Sequence, residues 1–225
     1  MENEAAADQT AWIRQFLNEQ VGEAAASNGI HEARLRRTNT LTRRRIMAEE
    51  GKREGKMDMQ AAMAIYKNLG TPAAPHKMLA RMAGSWSAKT RFFLEPGKPP
   101  VESEGSAEQK MVLGGRFLQE EFAGDMMGSS FAGIGFTGYD NHAKKVVSTW
   151  MDSSATGILL FEGTASDGGK TLTQENWHDD PLRGRMKWRS VTRIVDDNAF
   201  VFEMFGTDES GKERREFEIA YTRRP

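Results

Sequence analysis

The chain of 225 residues carries 31 lysines and arginines against 32 aspartates and glutamates, a formal net charge of −1, and no cysteine. That balance gives no global pull towards nucleic acid, and the missing thiols exclude disulfides, thiolate metal sites and a cysteine nucleophile. The length suits one sizeable core with an appendage, and the longest apolar runs, such as Gly157-Ile158-Leu159-Leu160-Phe161, fall far short of the roughly 20 residues that cross a bilayer. The acidic start Met1-Glu2-Asn3-Glu4 lacks the pattern of a secretory signal, so a soluble, cytoplasmic protein without a membrane span is expected.

The first predicted element is an amphipathic helix over 10–27. Trp12, Ile13, Phe16, Leu17 and Val21 recur at helical spacing, Thr10 is placed to cap it, and Asn28-Gly29 to stop it. Its apolar stripe needs a cover, and the scarcity of lysine and arginine on its polar face favours protein over lipid. A second copy of the chain is one such cover, which makes a homo-oligomer through this helix an expected partner. Six arginines and no acid follow between Arg34 and Arg45. No aromatics interleave with them for base stacking, so a solvated leader is expected rather than a nucleic-acid arm. Sparse apolar residues without a period make 1–57 a helical, partly disordered basic extension. Met57 and Met59 sit where a later start would leave that extension as an added leader.

A second helix is signalled by Asp58 as cap, by the stripe Met59, Ala62, Met63, Tyr66 and Leu69, and by Gly70 as stop. Thr71-Pro72-Ala73-Ala74-Pro75 then reads as a linker, so 58–75 is a helix with its linker and 76–225 the main domain. Met78-Leu79-Ala80-Arg81-Met82 is a short apolar segment suited to plug an end of that domain. From Ser85 onward the pattern changes to strands, over 85–94, 101–112, 116–123, 130–139, 144–153, 156–165, 170–178, 185–195, 199–207 and 213–223. Turn signals separate them, among them Gly114-Gly115, Gly124-Asp125, Asp140-Asn141 and Asp196-Asp197-Asn198. Ten short strands joined by tight turns must bury one face and hide their edges. An antiparallel up-and-down β-barrel does both, with a sandwich as the alternative. At this strand number the interior is wide enough for side chains or one small ligand.

Gly133-Ile134-Gly135-Phe136-Thr137-Gly138 spells G-x-G-x-x-G, the dinucleotide fingerprint. That motif requires a helix directly after the glycine turn, whereas here a hairpin turn at Asp140-Asn141 leads into the strand Val146 to Trp150. The alternate glycines Gly133 and Gly135 instead mark a wall strand that bends or leaves room. Gly128-Ser129-Ser130-Phe131-Ala132 departs from G-x-S-x-G, and His31, His76, His142 and His178 show no metal-binding spacing. Glu175, His178, Asp179 and Asp180 are the densest ligand-like group, read as a solvated loop before Pro181. No metal and no cofactor are expected. Glu120-Glu121 and Asp152 offer carboxylates on neighbouring strands, of which only one of the glutamates can face inward. Trp86, Trp150, Trp177 and Trp188 all fall in the strand region, where core packing accounts for most of them. Trp150, flanked at alternate positions by Ser148 and Asp152, combines apolar bulk with polar handles as binding cavities do.

Several stretches, in order along the chain, carry a family resemblance. They are His76-Lys77-Met78-Leu79 with Ala83-Gly84-Ser85-Trp86, Leu113-Gly114-Gly115-Arg116-Phe117-Leu118-Gln119-Glu120-Glu121, Gly133-Ile134-Gly135 to Gly138-Tyr139-Asp140-Asn141, Ser148-Thr149-Trp150-Met151-Asp152-Ser153, and Gly169-Lys170-Thr171-Leu172-Thr173. From about Met59 to Arg224 the chain resembles the bacterial family known as domain of unknown function 1579 (DUF 1579), similar in architecture to calycin barrels. The resemblance implies the fold and no particular reaction. Gly84-Ser85-Trp86 is also similar to the G-x-W of lipocalins, which implies a tryptophan closing the barrel base against a late arginine, Arg223 or Arg193.

The expectation is therefore a mainly β, calycin-like barrel of about ten strands with N-terminal helices, holding a small, largely apolar molecule. Trp86, Glu121, Gly133, Gly135, Ser148, Trp150 and Asp152 are the candidate binding residues. An enzyme using Glu121 or Asp152 as acid or base, and a structural module without ligand, are the alternatives.

Overall fold

The computed structural model describes residues 58–166, 168–180, 183–207 and 211–225. The expectations for residues 1–57, namely the helix over 10–27, its self-association and the arginine tract, lie outside the described residues. The chain divides into two compact units, Met1–Ala61 and Ala62–Pro225. Of the first, only 58–61 are described, at the start of helix α1 (Met59–Leu69). Asp58 caps α1, its Oδ1 accepting the Gln60 N–H at 3.0 Å, which satisfies one of the orphan donors of a helix start. The expected stripe is not a buried face. Ala62 is buried, but Met59, Met63 and Tyr66 are exposed.

Helix α2 (Ala74–Met82) begins inside the stretch read from sequence as a linker. Pro75 does not break it, because a proline in the first turn lacks an N–H that would have no intrahelical acceptor anyway. Nδ1 of His76 accepts the Ala73 N–H at 2.9 Å, completing the turn. Met78, Leu79 and Met82 are buried with His76, and the helix packs on three of the strands below, β2 to β4. Asn141 secures the approach to α2 by donating to the Leu69 carbonyl at 2.7 Å and the Thr71 carbonyl at 2.8 Å.

The ten strands are β1 (Gly84–Phe92), β2 (Val101–Val112), β3 (Phe117–Met126), β4 (Ser129–Asp140), β5 (Lys145–Asp152), β6 (Leu159–Ala165), β7 (Thr171–Asp180), β8 (Gly184–Ile194), β9 (Ala199–Thr207) and β10 (Glu213–Arg223). Each pairs antiparallel with its sequence neighbours, and β1 also pairs with β10 in the register Trp86↔Arg223 to Phe92↔Phe217, so the meander closes into an up-and-down barrel without open edges. Among the described residues no helix is long and apolar enough to cross a membrane. The β3–β4 turn falls at Met127-Gly128 (φ 55° and 88°), three residues beyond the expected Gly124-Asp125. Asp125 stays in the strand and its Oδ1 accepts the Gly128 N–H at 2.8 Å, so it supports the turn from outside. At the β4–β5 hairpin Asp140 Oδ1 accepts the His142 and Ala143 N–H groups at 2.7 and 2.9 Å. Those donors hold its carboxyl below the ordinary carboxylate range.

One barrel end is packed by α2. Met78, Leu79 and Met82 from α2 meet Trp86, Val146, Leu172, Ile194 and Phe200 in one apolar cluster, which forms the base. Trp86 is 1% exposed and donates from Nε1 to the Met82 carbonyl at 2.8 Å, so its one polar atom is satisfied as burial demands. The opposite end, the mouth, carries the β3–β4 and β5–β6 connections.

Candidate functional site

Period-two alternation sends every second side chain inward, and ten strands enclose more space than an eight-stranded barrel can fill with side chains alone. Above the base this leaves a cavity of about 320 Å³, whose walls include seven phenylalanines, Trp150 and Trp188. Among the described residues lining it there is no lysine, arginine or histidine; the ionisable groups are Glu120, Asp125, Asp152 and Tyr221.

Polar groups interrupt the apolar wall at three levels. Nearest the base, the Tyr221 hydroxyl donates to Glu120 Oε1 at 3.0 Å, and Gln109 lies directly across from Glu120 in the β2–β3 register. Burial raises the Glu120 pKa above its ordinary value, opposed by hydrogen bonds from Tyr221 and Gln109. Burial, reinforced by the Glu120 charge, puts the Tyr221 hydroxyl well above its usual range. Midway, Ser148 Oγ lies 2.9 Å from Thr137 Oγ1 and accepts from Gln174 Nε2 at 2.9 Å. Towards the mouth, Trp150 donates from Nε1 to Asp152 Oδ2 at 2.9 Å, while Asp152 Oδ1 accepts the Ser154 N–H at 2.9 Å and its hydroxyl at 2.5 Å.

Of the residues singled out from the sequence, Gly135, Ser148, Trp150 and Asp152 lie on the cavity wall. Gly133 lies beneath the Trp150 indole. A Cβ there would fall 2.2 Å from Trp150 Cζ2, and one at Gly135 would fall 2.8 Å from Cε3. The room made by the two glycines is thus taken up by the Trp150 ring. The whole G-x-G-x-x-G stretch lies within β4 and a hairpin follows it.

Trp86 sits in the base below the cavity, its ring edge-on to Phe200 at 4.7 Å. Its arginine partner is Arg223, whose guanidinium lies 4.2 Å from the ring centroid and donates to the carbonyls of Asp197, Ala83 and Arg81 at 2.7, 2.8 and 2.9 Å. Gly84 must be glycine here, because its φ is 141° and a Cβ would meet Arg223 Nη1 at 2.1 Å. Arg193 pairs instead with Glu203 on the outer face.

The choice of Glu121 as the interior glutamate is corrected. Its side chain is half exposed on the outer wall, accepting from Gln119 Nε2 at 2.7 Å and lying 3.6 Å from Lys110 Nζ. Glu120 is the inward member. The signal was present in β3, where Leu118 and Phe122 flank Glu120 at period two and are both buried. Gln109, Gln174 and Tyr221 were also missed, because each lies alone on its own strand and only barrel closure brings them to one space. The Glu175 to Asp180 group is not a loop but the end of β7. Glu175 pairs with Lys187 Nζ at 2.7 Å, while His178 packs against Trp188 with ring centroids 3.9 Å apart, and its burial lowers its pKa. Among the described residues no three histidines, aspartates or glutamates are grouped to hold a metal ion.

A closed antiparallel wall, a plugged base and an aromatic interior define the protein as a calycin-like up-and-down barrel. The chain belongs to the family described as "Protein of unknown function (DUF1579)", whose model matches residues 71–223. Among solved structures it is similar to Rv2717c from M. tuberculosis, at 14% identity and a TM-score of 0.50 over 69% of this chain and 100% of that one. It is also similar to the S-type phycobiliprotein lyase CPES from Guillardia theta, at 12% identity and a TM-score of 0.46 over 66% of this chain and 92% of that one. A redesigned beta barrel gives 12% identity and a TM-score of 0.37 over 66% and 96%. These likenesses concern the barrel fold. Comparison with curated proteins gives no match.

Proposed function

We propose that the barrel takes up a small, largely apolar molecule in its interior. The observation that carries this is the cavity of about 320 Å³, bounded by aromatic rings and a few isolated polar groups, which falls in the size and composition range of ligand pockets. The polar groups at the three levels fix orientation, while the rings supply apolar area that an occupant removes from water at roughly 25 cal/mol per Å². The test is native mass spectrometry after gentle purification, followed by tryptophan-fluorescence titration with isoprenoids, fatty alcohols and flavins. Trp150 and Trp188 line the cavity, so uptake should alter emission. Leu159→Trp, which places an indole in the space near the mouth, should abolish uptake while the circular dichroism spectrum stays unchanged. Undiminished uptake in that variant would place the ligand elsewhere.

A further inference from the structure

We propose that the occupant is a hydrophobic amine, seated with its nitrogen against Glu120 and Gln109. This rests on the proposal that the cavity holds an apolar molecule and adds the chemistry of the head group. Three observations converge on it.

Among the described residues that line the cavity, the charged side chains have one sign. Glu120, Asp125 and Asp152 line the cavity, and among the described lining residues no basic side chain answers them. A carboxylate or phosphate head buried there would lose its hydration and find no cation among the described lining residues to offset that loss. The three acids also differ in what they have left to offer. Asp152 already accepts from the Trp150 indole and from Ser154, and Asp125 accepts the Gly128 N–H at the mouth. Glu120 is held by two neutral side chains and by no cation.

Beside it, Gln109 is 5% exposed, and its Oε1 is buried with no hydrogen-bond partner among the described residues. A buried amide oxygen left without a donor is costly. Its neighbour across the strand pair is Glu120, so one donor-rich group placed beside the pair can reach both the carboxylate and the free amide oxygen. An ammonium has three N–H donors, enough for the carboxylate and the amide oxygen with one remaining.

The walls suit the rest of such a molecule. Phe122 stands on the same inward face of β3 as Glu120, and Phe200 stacks on Tyr221 at 4.2 Å between centroids. Ring faces attract a cation more strongly when it is desolvated, and the apolar body of the amine takes the remaining volume.

The test uses decylamine, decanol and decanoate, which share a tail and differ in the head, each titrated into the full-length protein by calorimetry and tryptophan fluorescence. Decylamine should bind about tenfold or more tightly than decanol, as a charge-assisted hydrogen bond does over a neutral one, and decanoate most weakly. In Glu120→Gln, decylamine should lose about that factor while decanol stays within about threefold. The wild-type order alone decides the matter if the variant does not fold. Decanoate binding as tightly as decylamine, or decylamine unaffected by Glu120→Gln, overturns the amine and leaves an apolar occupant standing. Failure of all three to bind overturns both.

Discussion

Gly133→Ala probes whether the β4 glycines exist to seat Trp150. The added Cβ would lie 2.2 Å from Cζ2 and 2.7 Å from Cη2 of the indole, where carbon atoms prefer about 3.5–4.0 Å. The ring must therefore move by more than 1 Å, roughly, against the Trp150 Nε1 to Asp152 hydrogen bond of 2.9 Å that anchors it. Overpacking of this kind costs about 1–3 kcal/mol, and a weakened indole hydrogen bond adds about 0.5–1. We expect a total of about 1.5–4 kcal/mol, or a fall in Tm of roughly 3–16 °C for a chain of this size. Urea unfolding followed by circular dichroism measures it. Gly157→Ala is the control, since a Cβ there meets nothing within 4 Å, and it should be neutral or stabilise by up to about 1 kcal/mol. In a Trp150→Phe background, which removes the two colliding indole atoms, the Gly133→Ala cost should drop below about 1 kcal/mol. An equal cost in both backgrounds, or a cost below about 0.5 kcal/mol in the wild type, would refute the steric account.

Glu120→Gln and Arg223→Lys test the two ends of the interior. Because burial raises the Glu120 pKa above 4.5, the folded state binds its proton more tightly than the unfolded chain does. That contribution to stability is whole below 4.5 and is lost as pH rises through the folded value. The urea midpoint of Glu120→Gln should therefore improve relative to wild type as pH rises from 4.5, and a difference constant with pH would refute the assignment. Arg223→Lys loses the guanidinium fork that serves three carbonyls and covers Trp86, and a lysine cannot reproduce it. Thermal melts should show a loss of about 2–4 kcal/mol, against under about 1 kcal/mol for Arg193→Lys on the outer face. Equal losses would remove Arg223 from its role as clasp of the base.

Strands and closure were legible because each strand announces itself twice, by alternation within it and by turn residues at its ends. Where the reading failed, a weaker local signal had the stronger tertiary support. Gly124-Asp125 is a better turn pair than Met127-Gly128 on composition, yet the Asp125 side chain works from inside the strand by accepting the Gly128 N–H. Pro75 marks a helix start as readily as a break, and the buried stripe Met78, Leu79 and Met82 decides for the start. Glu120 was distinguishable from Glu121 by its apolar neighbours on alternate positions. The Glu120, Gln109 and Tyr221 group as a set was not, since its members come from three strands and Tyr221 is 101 residues from Glu120. No local pattern encodes which of many inward polar residues will meet after closure.

The size of the cavity gives the amine and the apolar occupant a common energetic ground. Core truncations cost about 24 cal/mol per Å³ of space left behind. Unfilled space of that kind, about 320 Å³ above the base, forgoes contacts that a packed core would make. A barrel selected for stability alone would close this volume with larger side chains, as the base does with Trp86, Phe200 and Leu79. The wall does the reverse at Ser148, Thr137, Ser190 and Thr192, where small polar residues face the space. A molecule that fills it returns part of the missing contact energy to the folded state only, so an authentic occupant should raise Tm as well as bind. At a hundred times its Kd, the gain is about 2.7 kcal/mol.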